Sequence, residues 1–241
     1  MKWLDELNLK HNKYKSIDFK NKFKNKFKNK LDISELNKIF KSIGENINVW
    51  EINSLITKSP NENKKIIILN YILLSNKMNH YKTVSNFFLK IFNREQPIIL
   101  ICTYKNNYSI SFNAFSLKNP IIKEILKKYN YIGEFFDENN FNRVLPWKKI
   151  SLNSIIDFFD ESCRRIIYYE KTKNLPFSYT ITWEVIKILF LISNKEKEII
   201  QLNNKYKKIY NESEKYNIHK NIKSIEEEIQ KLKDKLSKFI S

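Results

Sequence analysis

The chain ends on an unbroken hydrophobic seam. Ile218, Ile222, Ile225, Ile229, Leu232, Leu236 and Phe239 follow one another at intervals of 4, 3, 4, 3, 4 and 3. A repeat of alternating a and d positions lays one apolar stripe along an α-helix and drives it against another helix. An earlier seam of Leu202, Tyr206 and Ile209, then Tyr216, stands in a different register, with Asn211-Glu212-Ser213-Glu214 between the two. Two helices joined by a short turn and packed as an antiparallel hairpin satisfy both registers; one long helix would not.

Upstream the periodicity changes. Residues 46–52 alternate polar and apolar, and residues 65–74 form a run rich in β-branched Ile. A turn at Ser59-Pro60-Asn61-Glu62-Asn63 separates these two strands. A helix over 34–44 is expected, capped by Ser34 and stopped at Gly44. Residues 81–92 are helical, with Val84, Phe87, Phe88 and Ile91 on one side. Pro97 then introduces a hairpin of strands 98–104 and 108–116 about a Lys105-Asn106-Asn107 turn. From 120 to 176 the signals are helical and irregular, with a short helix over 121–129, loop at 137–140 and 145–147, and a helix over 152–169. This order predicts an α+β fold: a small mixed or antiparallel sheet with flanking helices, plus the C-terminal antiparallel coiled-coil hairpin. The expected divisions are a basic Lys/Phe-rich segment at 1–31, an α+β core at 32–180 and the hairpin at 181–241.

Charge needs care in this chain. Its formal net charge is +18, yet the basic residues are 40 Lys and only 4 Arg, and 37 Ile and 32 Asn accompany them. Those are residues of A/T-rich codons, so codon supply accounts for part of the total. It does not account for the distribution. Residues 1–31 carry ten Lys against three acids, whereas residues 195–241 carry twelve against eight. The tract over 19–31 places Lys20, Lys22, Lys24, Lys26, Lys28 and Lys30 between apolar residues at every fourth position. It reads as helix or strand, helix being preferred. Such a tract can follow a phosphate backbone, each lysine releasing counterions, so these six lysines are the expected nucleic-acid contacts.

The chemistry of sites is thinly represented. Two Cys do not make a disulfide scaffold, and Cys102 and Cys163 read as reduced, buried thiols. His11, His80 and His219 have no partners at ligand spacing, so neither metal nor cofactor is expected. Two Gly rule out a glycine-rich phosphate loop. A divalent-metal nuclease remains as the alternative, built on Glu51, Glu62 and Lys64 as carboxylates and lysine near strand edges. Asp160 and Glu161 precede Arg164 and Arg165 by four residues, the spacing of ordinary helical ion pairs. With no long apolar span and no leader-like opening, no membrane partner and a cytoplasmic location are expected.

Several stretches resemble a known family. Ile47-Asn48-Val49-Trp50 leading to Thr57-Lys58-Ser59-Pro60, the apolar strand at 66–73, and the Pro97-Ile98-Ile99-Leu100 hairpin follow its layout. The tail, Glu214-Lys215-Tyr216-Asn217-Ile218-His219-Lys220 and then Ile225-Glu226-Glu227-Glu228-Ile229-Gln230-Lys231-Leu232, is the most similar part. The chain thus resembles the prokaryotic domain-of-unknown-function family 4391. That resemblance supplies no catalytic residues. It implies an accessory subunit working beside helicase and DNA-methylase partners of a bacterial antiviral defence locus. The expectation is a non-catalytic subunit that binds DNA or RNA through its basic surface. It would dock a protein such as a helicase, or a second copy of itself, through Ile222, Ile225, Ile229, Leu232 and Leu236. A pure protein–protein assembly factor is the third possibility.

Overall fold

The structure is a computed structural model that describes residues 10–22, 30–52, 66–74, 77–92, 97–113, 120–126, 130–145, 155–174 and 181–240. Six strands form one sheet: β1 (Lys10–Lys15), β2 (Ile43–Ile52), β3 (Ile66–Leu73), β4 (Ile98–Tyr104), β5 (Asn107–Asn113) and β6 (Asn130–Asp137). They lie in sequence order across the sheet. All neighbours are antiparallel except β3 and β4, which run parallel with Ile68 opposite Ile99. A parallel pair needs a crossover, and helix α3 (Tyr81–Ile91) supplies it.

Burial of the sheet on both faces explains the composition of its central strands. Seven of the eight β3 residues are buried, so Ile-Ile-Ile-Leu reads as a run rather than an alternation. Ile66 and Ile68 join one core with Trp50, Ile99, Ile101, Ile110 and Phe112. Ile67, Leu69, Tyr71 and Leu73 join a second core on the other face. The second face is covered by α1 (Ser16–Lys22), α2 (Lys30–Phe40) and α3. The first is covered by α4 (Pro120–Leu126), α5 (Glu138–Val144), α6 (Ile155–Thr172) and the start of α7 (Trp183–Tyr206). Helix, sheet and helix make three layers of an α+β fold.

Helix α8 (Glu212–Ile240) returns along α7 as the seam predicts. Ile225 and Ile229 pack with Ile188 and Ile192, and Ile199, Leu202, Leu232 and Leu236 extend the contact. Lys195 and Glu228 pair across it.

Several local expectations give way to tertiary structure. Phe19, inside the Lys/Phe-rich segment, is wholly buried among Phe40, Phe88 and Phe92 at ring distances of 6.4, 5.8 and 6.2 Å. The residues before it, Lys10 to Lys15, form an edge strand on β2. Of the tract itself, residues 23–29 lie outside the described residues. Ser34 sits inside α2 rather than capping it, and Gly44 lies within β2. The residues expected as loop at 137–140 open α5, because the Asp137 carboxylate accepts the Asn140 backbone N–H at 2.9 Å as an N-cap. Strand β6 is a further difference, since a bulge interrupts the alternation that would mark it.

Candidate nucleic-acid interface

Among the described residues, the helices over the first face bury Trp50 and Ile68 but leave Ile72 and the β1 residues Lys13 and Lys15 exposed. Strand alternation puts Lys13 beside Asn48, Asn48 beside Asn70, and Asn70 beside Ile101 in one cross-strand row on that face. Lys15 stands opposite Asn46 one step further along. Lys13 and Lys15 are exposed, and Asn46 and Asn48 are half-buried. On the same face of β3, Ile68 is sealed in the core while Ile72 is 46% exposed. Asn70 is held between these regimes, its Nδ2 donating to the Ile101 carbonyl at 3.0 Å and to Thr103 Oγ1 at 2.7 Å. The result is a surface of two ammonium groups and amide side chains on one face of the sheet. Ammoniums there can neutralise phosphates, and amides can hydrogen-bond sugar or base edges.

Of the six lysines expected to make phosphate contacts, three lie on described helices. Lys20 and Lys22 belong to α1, which covers the opposite face; Lys22 is exposed and Lys20 half-buried. Lys24, Lys26 and Lys28 lie outside the described residues, and Lys30 begins α2. Glu51 sits on β2 in register with Lys10 and Ile67. Glu62 and Lys64, its companions in the nuclease alternative, lie outside the described residues. Among the described residues no three His, Cys, Asp or Glu side chains gather as metal ligands, and no helix is long and apolar enough to cross a membrane. The hairpin seam is filled from within: Ile222, Ile225 and Ile229 are buried, and α7 lies against Ile225, Ile229, Leu232 and Leu236. Ile225, Ile229, Leu232 and Leu236 thus pack within the hairpin itself.

A buried carboxylate escaped the sequence reading. Between the Ser109–Phe135 and Ser111–Ile132 pairs, β6 carries Gly133 and Glu134 against the single residue Ile110, a β-bulge. The extra residue breaks the alternation that would have marked the strand. Glu170 of α6 reaches into the bulge, accepting the Glu134 backbone N–H at 3.0 Å and the Tyr131 hydroxyl at 2.7 Å. Burial pushes its carboxyl up to about 7, against the opposing pull of those two donors. Burial, then the Glu170 charge, raises the Tyr131 phenol. At the rim, Lys173 pairs with the Glu134 carboxylate at 3.2 Å, and Lys171 lies over the Phe190 ring at 4.5 Å. One sequence signal did exist: Phe159, Cys163, Ile166 and Glu170 are spaced 4, 3 and 4, which puts an acid on a core stripe.

The two arginines of α6 tie it to its neighbours within one helix layer. Arg164 meets Asp160 at 2.8 Å and the Ile181 carbonyl, while Asp160 also accepts from Trp183 Nε1 at 2.6 Å. Arg165 meets Glu161 at 3.3 Å and donates from Nε to the Val144 carbonyl at 2.9 Å. Both thiols are buried and their pKa values raised by that burial, Cys102 to about 12.

No family model, no curated protein and no solved structure matches this chain.

Proposed function

We propose that the chain is a non-catalytic nucleic-acid-binding accessory subunit that holds a phosphate backbone on the open, lysine-bearing part of its sheet. The supporting observation is the placement of Lys13 and Lys15, exposed beside the half-buried Asn46 and Asn48. Edge-strand lysines also discourage strand-to-strand aggregation, which alone would explain their presence on β1. The surface goes further, because amides and the exposed Ile72 continue it two strands inward. A chain of formal charge +18 adds a long-range attraction for any polyanion.

The family resemblance sets this activity beside a helicase or methylase partner, a setting that a pulldown from the native cell tests. Binding itself is measured by anisotropy of a labelled oligonucleotide over a salt series. Affinity should fall steeply with salt, and Lys13→Glu with Lys15→Glu should lower the log–log slope by about 2. Absence of salt-sensitive binding at low ionic strength, or an unchanged slope in the double variant, overturns the reading.

A further inference from the structure

Among the described residues, the exposed tyrosines gather at one place. Tyr206 is 39% exposed, Tyr210 95% and Tyr216 69%. Every other tyrosine whose side chain is described is buried or half-buried. Codon supply sets how many tyrosines a chain has; it does not choose which of them face water. All three lie at the tip of the α7–α8 hairpin, at the end of α7, in the turn and at the start of α8.

The hairpin carries this tip away from the sheet. The buried residues of α7 end at Ile192, and residues 193–206 extend the helix by roughly 21 Å at about 1.5 Å per residue. Along that length Ile199 and Leu202 pack in the α7–α8 seam. The turn is also fixed: Asn211 Oδ1 accepts the backbone N–H groups of Ser213 and Glu214 at 2.9 and 3.3 Å, capping α8. The backbone that carries these rings is thus ordered before any ligand arrives.

We propose that this tip is a stacking site for the unpaired bases of single-stranded nucleic acid. It deepens the proposed function and rests on that reading for the class of ligand, but it uses different residues. Two features of the tip favour nucleic acid over a protein surface. Between residues 203 and 220 there are five lysines against two glutamates, and Glu212 is engaged by Lys215 at 2.7 Å. The charge left over is positive and interleaved with the rings, as in Lys205-Tyr206-Lys207-Lys208. An aromatic ring next to a lysine can stack on a base while the ammonium meets the adjoining phosphate. In a duplex the base faces are already stacked on their neighbours, so the rings select unpaired strands. The sheet surface and the tip thereby divide the work between backbone contact and base stacking.

The test uses the full chain with a single-stranded and a duplex oligonucleotide of equal length. Replacing the three residues together, Tyr206→Ala, Tyr210→Ala and Tyr216→Ala, should weaken single-strand binding tenfold or more, on the basis of roughly 1–3 kcal/mol per stacked base. Duplex affinity should stay within about twofold. The corresponding Tyr→Phe triple should retain single-strand binding, because it keeps the rings. A single strand carrying 5-iodouracil should photo-crosslink to peptides spanning residues 203–220. Lys13→Glu with Lys15→Glu reports separately on the sheet, so loss there with no effect at the tip identifies which idea has failed. Unchanged single-strand affinity in the Ala triple overturns the tip proposal. So does a Phe triple that loses as much as the Ala triple, or an Ala triple that loses a protein partner while keeping nucleic acid.

Discussion

The backbone N–H of Glu134 is satisfied by the carboxylate of Glu170, 3.0 Å away and 36 residues on in the chain. A bulge turns one strand N–H away from its neighbour, and a buried donor without a partner costs about 1–3 kcal/mol. Helix α6 supplies the missing acceptor, and with it an ionisable group close to neutrality in the core.

Folding raises the Glu170 carboxyl from 4.5 to about 7, so the folded state binds its proton more tightly than the unfolded chain does. Its contribution to stability is therefore complete below pH 4.5 and is lost as pH rises through about 7. Glu170→Gln keeps an acceptor for Glu134 and a partner for Tyr131 while removing the charge. Urea titrations from pH 4.5 to 8 should show the variant's stability less dependent on pH. At pH 8 the variant should exceed the parent by up to the order of 3 kcal/mol. Parallel curves for the two proteins would sink this account.

The two glycines should respond very differently to alanine. A Cβ at Gly133 would lie 2.2 Å from the Ile110 carbonyl oxygen and 2.4 Å from Glu170 Oε1, whereas at Gly44 the nearest atoms are at 3.7 and 3.8 Å. Gly133→Ala is expected to destabilise by more than about 2 kcal/mol. Gly44→Ala should stay within about 1 kcal/mol of the parent. Thermal or chemical denaturation of the pair decides, and equal effects would refute the close approach.

Arg165→Lys keeps a cation but lacks the fork that reaches both Glu161 and the Val144 carbonyl. A loss of about 1–2 kcal/mol is expected. The exposed Arg143, on α5, serves as the control, and its Lys variant should change stability by less than about 0.5 kcal/mol. If both substitutions are silent, the clamp does not hold α6 to α5.

Phe19→Ala should cost about 3–5 kcal/mol, the range for a fully buried ring, and Phe19→Leu less than half of that. Denaturant midpoints would check it. A small effect would mean that residues 10–22 are an appendage rather than part of the second core.

Much of this architecture is legible in the chain because periodicity records which side of an element is apolar. The heptads at 218–239 announce a hairpin, the Ile-rich run at 65–74 a strand, and the spacing of Asp160 and Glu161 before Arg164 and Arg165 a pair of helical ion pairs. Rare residues carried further information than was drawn from them. In a chain of two Gly and four Arg, Gly133 sits where a Cβ would collide, and Arg164 and Arg165 reach backbone carbonyls that a lysine would serve less well.

Periodicity does not record what an apolar side will face, or which polar side chains will be left in water. Lys10-His11-Asn12-Lys13-Tyr14-Lys15 has little to mark it as a strand; the hydrogen bonds of β2 make it one. Glu170 looks like any helix-end acid until the bulge meets it. The three tip tyrosines match the buried ones in type, and only the α7–α8 turn leaves them exposed. Local pattern follows from backbone geometry over a few residues, and the sequence by itself determined that much. The open sheet surface, the buried carboxylate and the aromatic tip depend on contacts between residues far apart in the chain, and only the tertiary structure decided them.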